Sequence, residues 1–260
     1  MSEPIKVEIW SDIACPWCYL GKRRFEAAAA QFAKEADVSG LLAPGVAASH
    51  GTSPGTVGPG AAAPDSVARS GAVSDAAVPA VDVSYHSFQL SPELPADFSG
   101  SHAEYLAAKL GWSEEQLAQA DQRLQGLGAP YGIAYNFDAN RVVNTNKAHQ
   151  LLHYARAHGA QAQVNELLFK AFFSDGVDLG RIENLADVAQ KAGLDRADAL
   201  RSLESGEYAG AVEADKAQAG RYGISGVPFF VIDGKYGLSG AQEPEVFLKA
   251  LRQAAAEKGA

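Results

Sequence analysis

Along this chain the spacing of apolar residues switches between a period near two and a period near 3.6, and the switches mark out the elements. Residues 5–10 (IKVEIW) are apolar and β-branched enough for a buried strand. Residues 21–36 (GKRRFEAAAAQFAKEA) carry alanine and long side chains throughout and predict a helix, with Phe25 and Phe32 seven apart on one face. Residues 81–90 (VDVSYHSFQL) alternate and then slip phase near Ser87, as in a strand with a bulge or an early end. Residues 91–100 read as loop.

Helical patterns follow from residue 102 to about residue 205. The first ends at Gly111, and Ser113 with Gln116 forms a capping-box pattern for the next. Thr145 is placed to cap a helix closed by Gly159, and further segments end at Gly176, Gly193 and Gly206. Residues 207–223 predict one more helix. FFVID is then a strand, Asp233-Gly234 a hairpin turn and KYGLSG the returning strand. Pro244 opens the closing helix. The expected architecture is a mixed sheet built mainly from the chain ends, with a helical lobe between them.

Residues 42–80 differ in texture. Pro, Gly, Ser and Ala dominate and aromatic residues are missing, so the segment cannot bury enough apolar area to offset its ordering entropy. It predicts a flexible insertion at the far end of the first helix, whose deletion is expected to spare activity.

Composition narrows the function classes. Apolar residues make up 47% of the 260, ordinary for a globular protein. Lys plus Arg number 22 against 31 Asp plus Glu, a net charge of −9 without any basic run to offset it, which argues against nucleic acid and anionic membranes as partners. No stretch approaches the ~18 apolar residues of a membrane span, and the start lacks the pattern of a signal peptide. The expectation is a cytoplasmic protein; the sequence specifies no oligomeric state.

In that compartment the two cysteines, Cys15 and Cys18 of CPWC, point to redox chemistry or metal. They stand where a strand hands over to a helix. Pro16 suits a first helical position, which sets Cys15 before the first turn and Cys18 within it, close enough to bond. The free N–H groups and the positive end of the helix dipole then favour a Cys15 thiolate. Cys18, expected to be more buried, is the resolving thiol, which attacks a mixed disulfide on Cys15. A structural disulfide closing so small a loop would constrain the unfolded chain little. Structural zinc takes four ligands, and nothing brings His149 and His153, spaced i, i+4, to the thiols; both read as surface or packing residues. Two inert cysteines fit so particular a motif poorly. Metal is therefore not expected. Glu8 in the strand and Asp12 in the turn are candidate proton acceptors for the resolving thiol. Trp17 is placed to stack on substrate or to cover the site. Lys22, Arg23 and Arg24 read as a solvated helix face rather than a clamp for a glutathione carboxylate.

Strand–CPWC–helix at the start, Gly226-Val227-Pro228 leading into strand–turn–strand–helix at the end, and helices between resemble the DsbA-like branch of the thioredoxin superfamily. The string SDIACPWCYLG is similar to its FrnE-type subgroup. The resemblance covers the chain apart from the insertion. It implies an α/β, thioredoxin-like fold with an inserted all-helical subdomain. Residues 1–41 and 81–98 and residues 206–260 would form the thioredoxin-like domain, 99–205 the helical subdomain and 42–80 the insertion. It also implies a cis Val227–Pro228 bond packed against the thiols, with the Val227 backbone pairing with bound peptide. Pro16, Trp17, Val227 and Pro228 would then support substrate. The implied activity is thiol–disulfide exchange, as oxidase, reductase or isomerase, with protein thiols or disulfides or glutathione as partners and no cofactor beyond glutathione as a co-substrate. The alternative is a glutathione-dependent isomerase or transferase of the 2-hydroxychromene-2-carboxylate isomerase or kappa-class type. Those enzymes typically carry serine at the first motif position and need no resolving thiol, so the intact pair favours exchange. It also argues against a partner-binding module with a dead redox site. Some relatives carry a second cysteine pair near the C-terminus; this chain has none.

Overall fold

The structure, a computed structural model, describes residues 3–41 and 80–258. The expected insertion lies outside the described residues except for Ala80. In chain order the elements are β1 (Ile5–Ser11), α1 (Pro16–Leu41), β2 (Val81–Ser87), β3 (Ser99–Ser101), α2 (His102–Leu110), α3 (Glu114–Gly128), β4 (Arg141–Val143), α4 (Asn146–Ala157), α5 (Gln161–Phe173), α6 (Ile182–Lys191), α7 (Arg196–Ser205), α8 (Ala209–Arg221), β5 (Phe229–Ile232), β6 (Tyr236–Ser239) and α9 (Pro244–Lys258).

The main sheet runs β2-β1-β5-β6. β1 and β2 are parallel, joined through α1, while β5 and β6 add antiparallel to β1. One face of β1 (Ile5, Val7, Ile9) packs with Phe25 and Phe32 of α1 and with Phe247 and Leu251 of α9. Each such fully buried side chain stabilises by about 1.5–3 kcal/mol. The seven-residue spacing of the two phenylalanines therefore marks the face of α1 that docks on the sheet. Asp233 (φ 53°) and Gly234 (φ 68°) both turn left-handed between β5 and β6, the backbone an Asp-Gly hairpin needs.

The phase slip near Ser87 marks the end of β2, where the Ser87 amide, on the open edge of the sheet, donates to Asp215 Oδ2 at 2.7 Å. Two expectations need correction. Residues 99–101 are not loop but β3, which pairs with β4; strands of three residues are too short to show alternation. Thr145 stands at the N-cap of α4 without capping it, because its hydroxyl is engaged by Asp12. Of the two readings left open for His149 and His153, packing holds: His149 is fully buried and His153 is buried against Asp215.

Candidate active site

A tight turn carries β1 into α1. The Cys15 amide donates to the Asp12 carbonyl at 3.0 Å, and the Cys15 carbonyl then accepts from the amides of Cys18 (3.0 Å) and Tyr19 (3.4 Å), closing the first helical turn. Pro16 is the first residue of α1, where its missing N–H costs nothing. Both cysteines are free thiols and buried, Cys15 4% and Cys18 2% exposed. Trp17, between them, is exposed.

The second half of the site comes from the far end of the sequence. The Val227–Pro228 bond is cis. The Cys15 thiol donates to the Val227 carbonyl at an Sγ···O distance of 3.7 Å. Pro228 presses on α1 so closely that a Cβ on Gly21 would fall 2.9 Å from Pro228 Cγ. Val227 thus meets the Cys15 thiol and Pro228 meets α1 at Gly21, while Pro16 and Trp17 adjoin Cys15 in the chain.

The Cys18 thiol is held toward its protonated form. Burial pushes it well above the ordinary thiol range, the Cys15 sulfur adds to this, and the Asp12 backbone and Ser11 side chain pull weakly the other way. Behind the motif lies Asp12, fully buried. Burial alone would raise its carboxyl, but His149 outweighs this (Nε2···Oδ1 3.3 Å), together with the Leu90 amide (2.8 Å to Oδ2) and the Thr145 hydroxyl, and holds it below the usual carboxylate range. Glu8 sits elsewhere. It lies 3.6 Å from His86 Nε2, and with Ser84 and His86 it lines a cleft of about 940 Å³ that neither cysteine borders. Of the two candidates Asp12 is the one in the turn beside the motif, where its backbone meets the Cys18 thiol while its carboxylate faces His149, Leu90 and Thr145.

The basic run is not a solvated face. Lys22 and Arg24 are buried. Lys22 Nζ donates to Glu166 Oε2 at 2.5 Å and Arg23 Nη2 to Glu166 Oε1 at 2.6 Å, while Arg24 donates to the Ala241 carbonyl and pairs with Glu243, both at 2.8 Å. The Tyr19 hydroxyl also donates to Glu166 Oε1, at 2.8 Å; burial first and the Glu166 charge second push it up to about 12. Tyr135 donates to the Pro16 carbonyl at 2.7 Å and stands edge-on to Tyr19. Sequence reasoning did not single out Tyr135 or Glu166, and it named His149 without linking it to Asp12; all three lie over a hundred residues from the motif. The one available signal was the i, i+4 step from Cys15 to Tyr19 and from Cys18 to Lys22, which places these two polar side chains in line with the thiols.

Among the described residues no three His, Cys, Asp or Glu side chains are grouped as a metal ion needs, and no helix is long and apolar enough to cross a membrane.

The DSBA-like thioredoxin domain model matches residues 6–40 and 64–252, so the chain belongs to that family, whose members are thiol–disulfide oxidoreductases. The fold agrees with that of a probable DsbA oxidoreductase, SCO1869 of Streptomyces coelicolor, at 34% identity and a TM-score of 0.76 over 97% of this chain and 91% of that one. The cytosolic disulfide reductase DsbM of Pseudomonas aeruginosa, solved with glutathione, is similar in fold at 15% identity and a TM-score of 0.56, over 95% of this chain and 98% of that one. A 2-hydroxychromene-2-carboxylate isomerase is similar at 16% and 0.59, over 97% of each chain.

Proposed function

We propose that this protein exchanges thiols and disulfides through a mixed disulfide on Cys15. The observation that carries the reading is the Cys15 thiol set against the Val227 carbonyl at 3.7 Å, with a second buried thiol, Cys18, three residues further into the helix. In the reducing direction the Cys15 sulfur attacks a substrate disulfide, one half leaves as a thiol, and the other half stays bonded to Cys15. Cys18 then loses its proton and attacks the Cys15 sulfur. The Cys15–Cys18 disulfide forms, the second thiol leaves, and two electrons have passed to the substrate. Asp12 is the candidate acceptor of the Cys18 proton. Pro16 and Trp17 border the substrate on one side and Val227 and Pro228 on the other, with the Val227 backbone pairing with an extended peptide.

In this reading residues 1–41, 81–98 and 206–260 form the domain that carries the chemistry, and residues 99–205 the inserted helical part that closes over it. Protein disulfides and glutathione mixed disulfides are the substrate classes, and a reducing, cytosolic setting suits a lone Cys-x-x-Cys. The test is turnover of a glutathionylated peptide. Wild type releases the peptide thiol and Cys15→Ser does not. If Cys18→Ser exchanges no disulfide yet retains a glutathione-dependent isomerisation, the isomerase reading replaces this one.

A further inference from the structure

Each cysteine heads a row of side chains spaced four residues apart, Cys15 just before α1 and the rest on it: Cys15, Tyr19, Arg23 and Cys18, Lys22, Glu26. Residues so spaced stack above one another, each step about 6 Å along the axis. Both rows run into a single carboxylate on another helix, Glu166 of α5. It accepts from Tyr19 (2.8 Å), Arg23 (2.6 Å) and Lys22 (2.5 Å). The Lys22 side chain is only 3% exposed, and its other partner is Glu26 at 2.6 Å, so its ammonium is screened by carboxylates rather than by water. Arg24 is neutralised separately by Glu243. With Glu166 in place, two cations face two carboxylates behind the thiols. Without it, Lys22 and Arg23 face Glu26 alone and the cluster gains one net positive charge.

We propose that Glu166 sets the redox bias of the cysteine pair, cancelling positive charge behind both rows and keeping the Cys15–Cys18 disulfide from being a strong oxidant. This rests on the exchange reading above. The physical reason is a charge difference between the two redox forms. The dithiol form can carry negative charge on sulfur and the disulfide cannot, so added positive charge favours the dithiol and makes the disulfide more oxidising. Glu166 touches no reacting atom. It is a positioning residue, acting through Lys22, Arg23 and Tyr19.

The measurement is the equilibrium of the purified protein with reduced and oxidised glutathione. Two glutathione thiols become one glutathione disulfide, two electrons pass to the protein, and the Cys15–Cys18 disulfide becomes two thiols. The ratio is read by alkylation and mass spectrometry of the motif peptide. Glu166→Gln is expected to shift the equilibrium constant about four- to seventeenfold toward the dithiol, the effect of one unit charge roughly 10 Å away at an effective dielectric constant of about 20–40. Glu166→Asp should restore most of the wild-type value. Lys22→Met, which removes a buried cation and so remains folded if Glu166→Gln does not, should shift the constant the opposite way, toward the disulfide. Equal constants for wild type and Glu166→Gln, or no reverse shift in Lys22→Met, overturn the proposal. If wild type forms no Cys15–Cys18 disulfide at any glutathione ratio, the exchange reading fails first and this proposal falls with it.

Discussion

Gly21→Ala tests whether the segment at residues 227–228 is seated on α1 as described. Two effects oppose each other. Alanine in place of glycine inside a helix stabilises by up to about 1 kcal/mol. The new methyl, however, would stand 2.9 Å from Pro228 Cγ and 3.4 Å from both Cα and Cβ of Ala241. Ordinary carbon contacts lie at about 3.5–4.0 Å. Pro228 Cγ belongs to a ring and cannot swing aside like the end of a flexible side chain. Forcing a methyl into such a contact costs about 1–3 kcal/mol, so the variant should be less stable than wild type by about 1 kcal/mol, the overpacking outweighing the propensity. Relief comes most easily by moving Pro228 outward, which carries the Val227 carbonyl away from the Cys15 thiol. Disulfide-exchange turnover should therefore fall several-fold. Urea denaturation reads the stability and turnover of a glutathionylated peptide reads the site. A variant stabilised by the full propensity gain, with unchanged turnover, would refute the packing argument.

Asp12→Asn removes one partner of a buried charge network and should destabilise by about 3 kcal/mol in denaturant; a loss below 1 kcal/mol would show that His149 and Leu90 do not depend on it. The same variant should slow release of the mixed disulfide and change its pH profile, while Glu8→Gln leaves both as in wild type; the opposite pattern would make Glu8 the acceptor. Asp215 is held well below the usual carboxylate range, burial raising it but His153, His86 and the Ser87 amide lowering it further. A carboxyl lowered in the folded state stabilises above its unfolded value, about 3.9, and that contribution is lost as the pH falls through the folded value. Asp215→Asn should thus cost more stability at pH 7 than near pH 2, where part of the contribution is already lost; equal losses at both would contradict the linkage.

The elements that short-range rules control were legible in the sequence. The Ser113–Gln116 capping box, the Asp233-Gly234 turn, Pro244 at a helix start and the end of β2 near Ser87 all follow from residues within a few positions of one another. The strand–CPWC–helix junction belongs to the same class, and with it the placement of Cys15 and Cys18. What remained hidden depends on register between distant elements. Glu166 reads as one more polar residue of an amphipathic helix until α5 is set against α1, where it turns an apparently solvated run of Lys22 and Arg23 into a half-buried ion-pair cluster. His149 reads as a packing residue until α4 brings it to Asp12. Thr145 carries every local sign of a cap, yet a buried carboxylate takes its hydroxyl. Local propensity loses wherever a buried charge needs a partner, because leaving that charge unpaired costs more than a missing cap.

The central claim is tested most directly by reacting Cys18→Ser with an excess of glutathione disulfide and mapping the product by mass spectrometry. The predicted result is a stable glutathione adduct on Cys15, which wild type resolves and therefore does not accumulate. A Cys18→Ser protein that stays folded and remains unmodified at Cys15 would contradict the account.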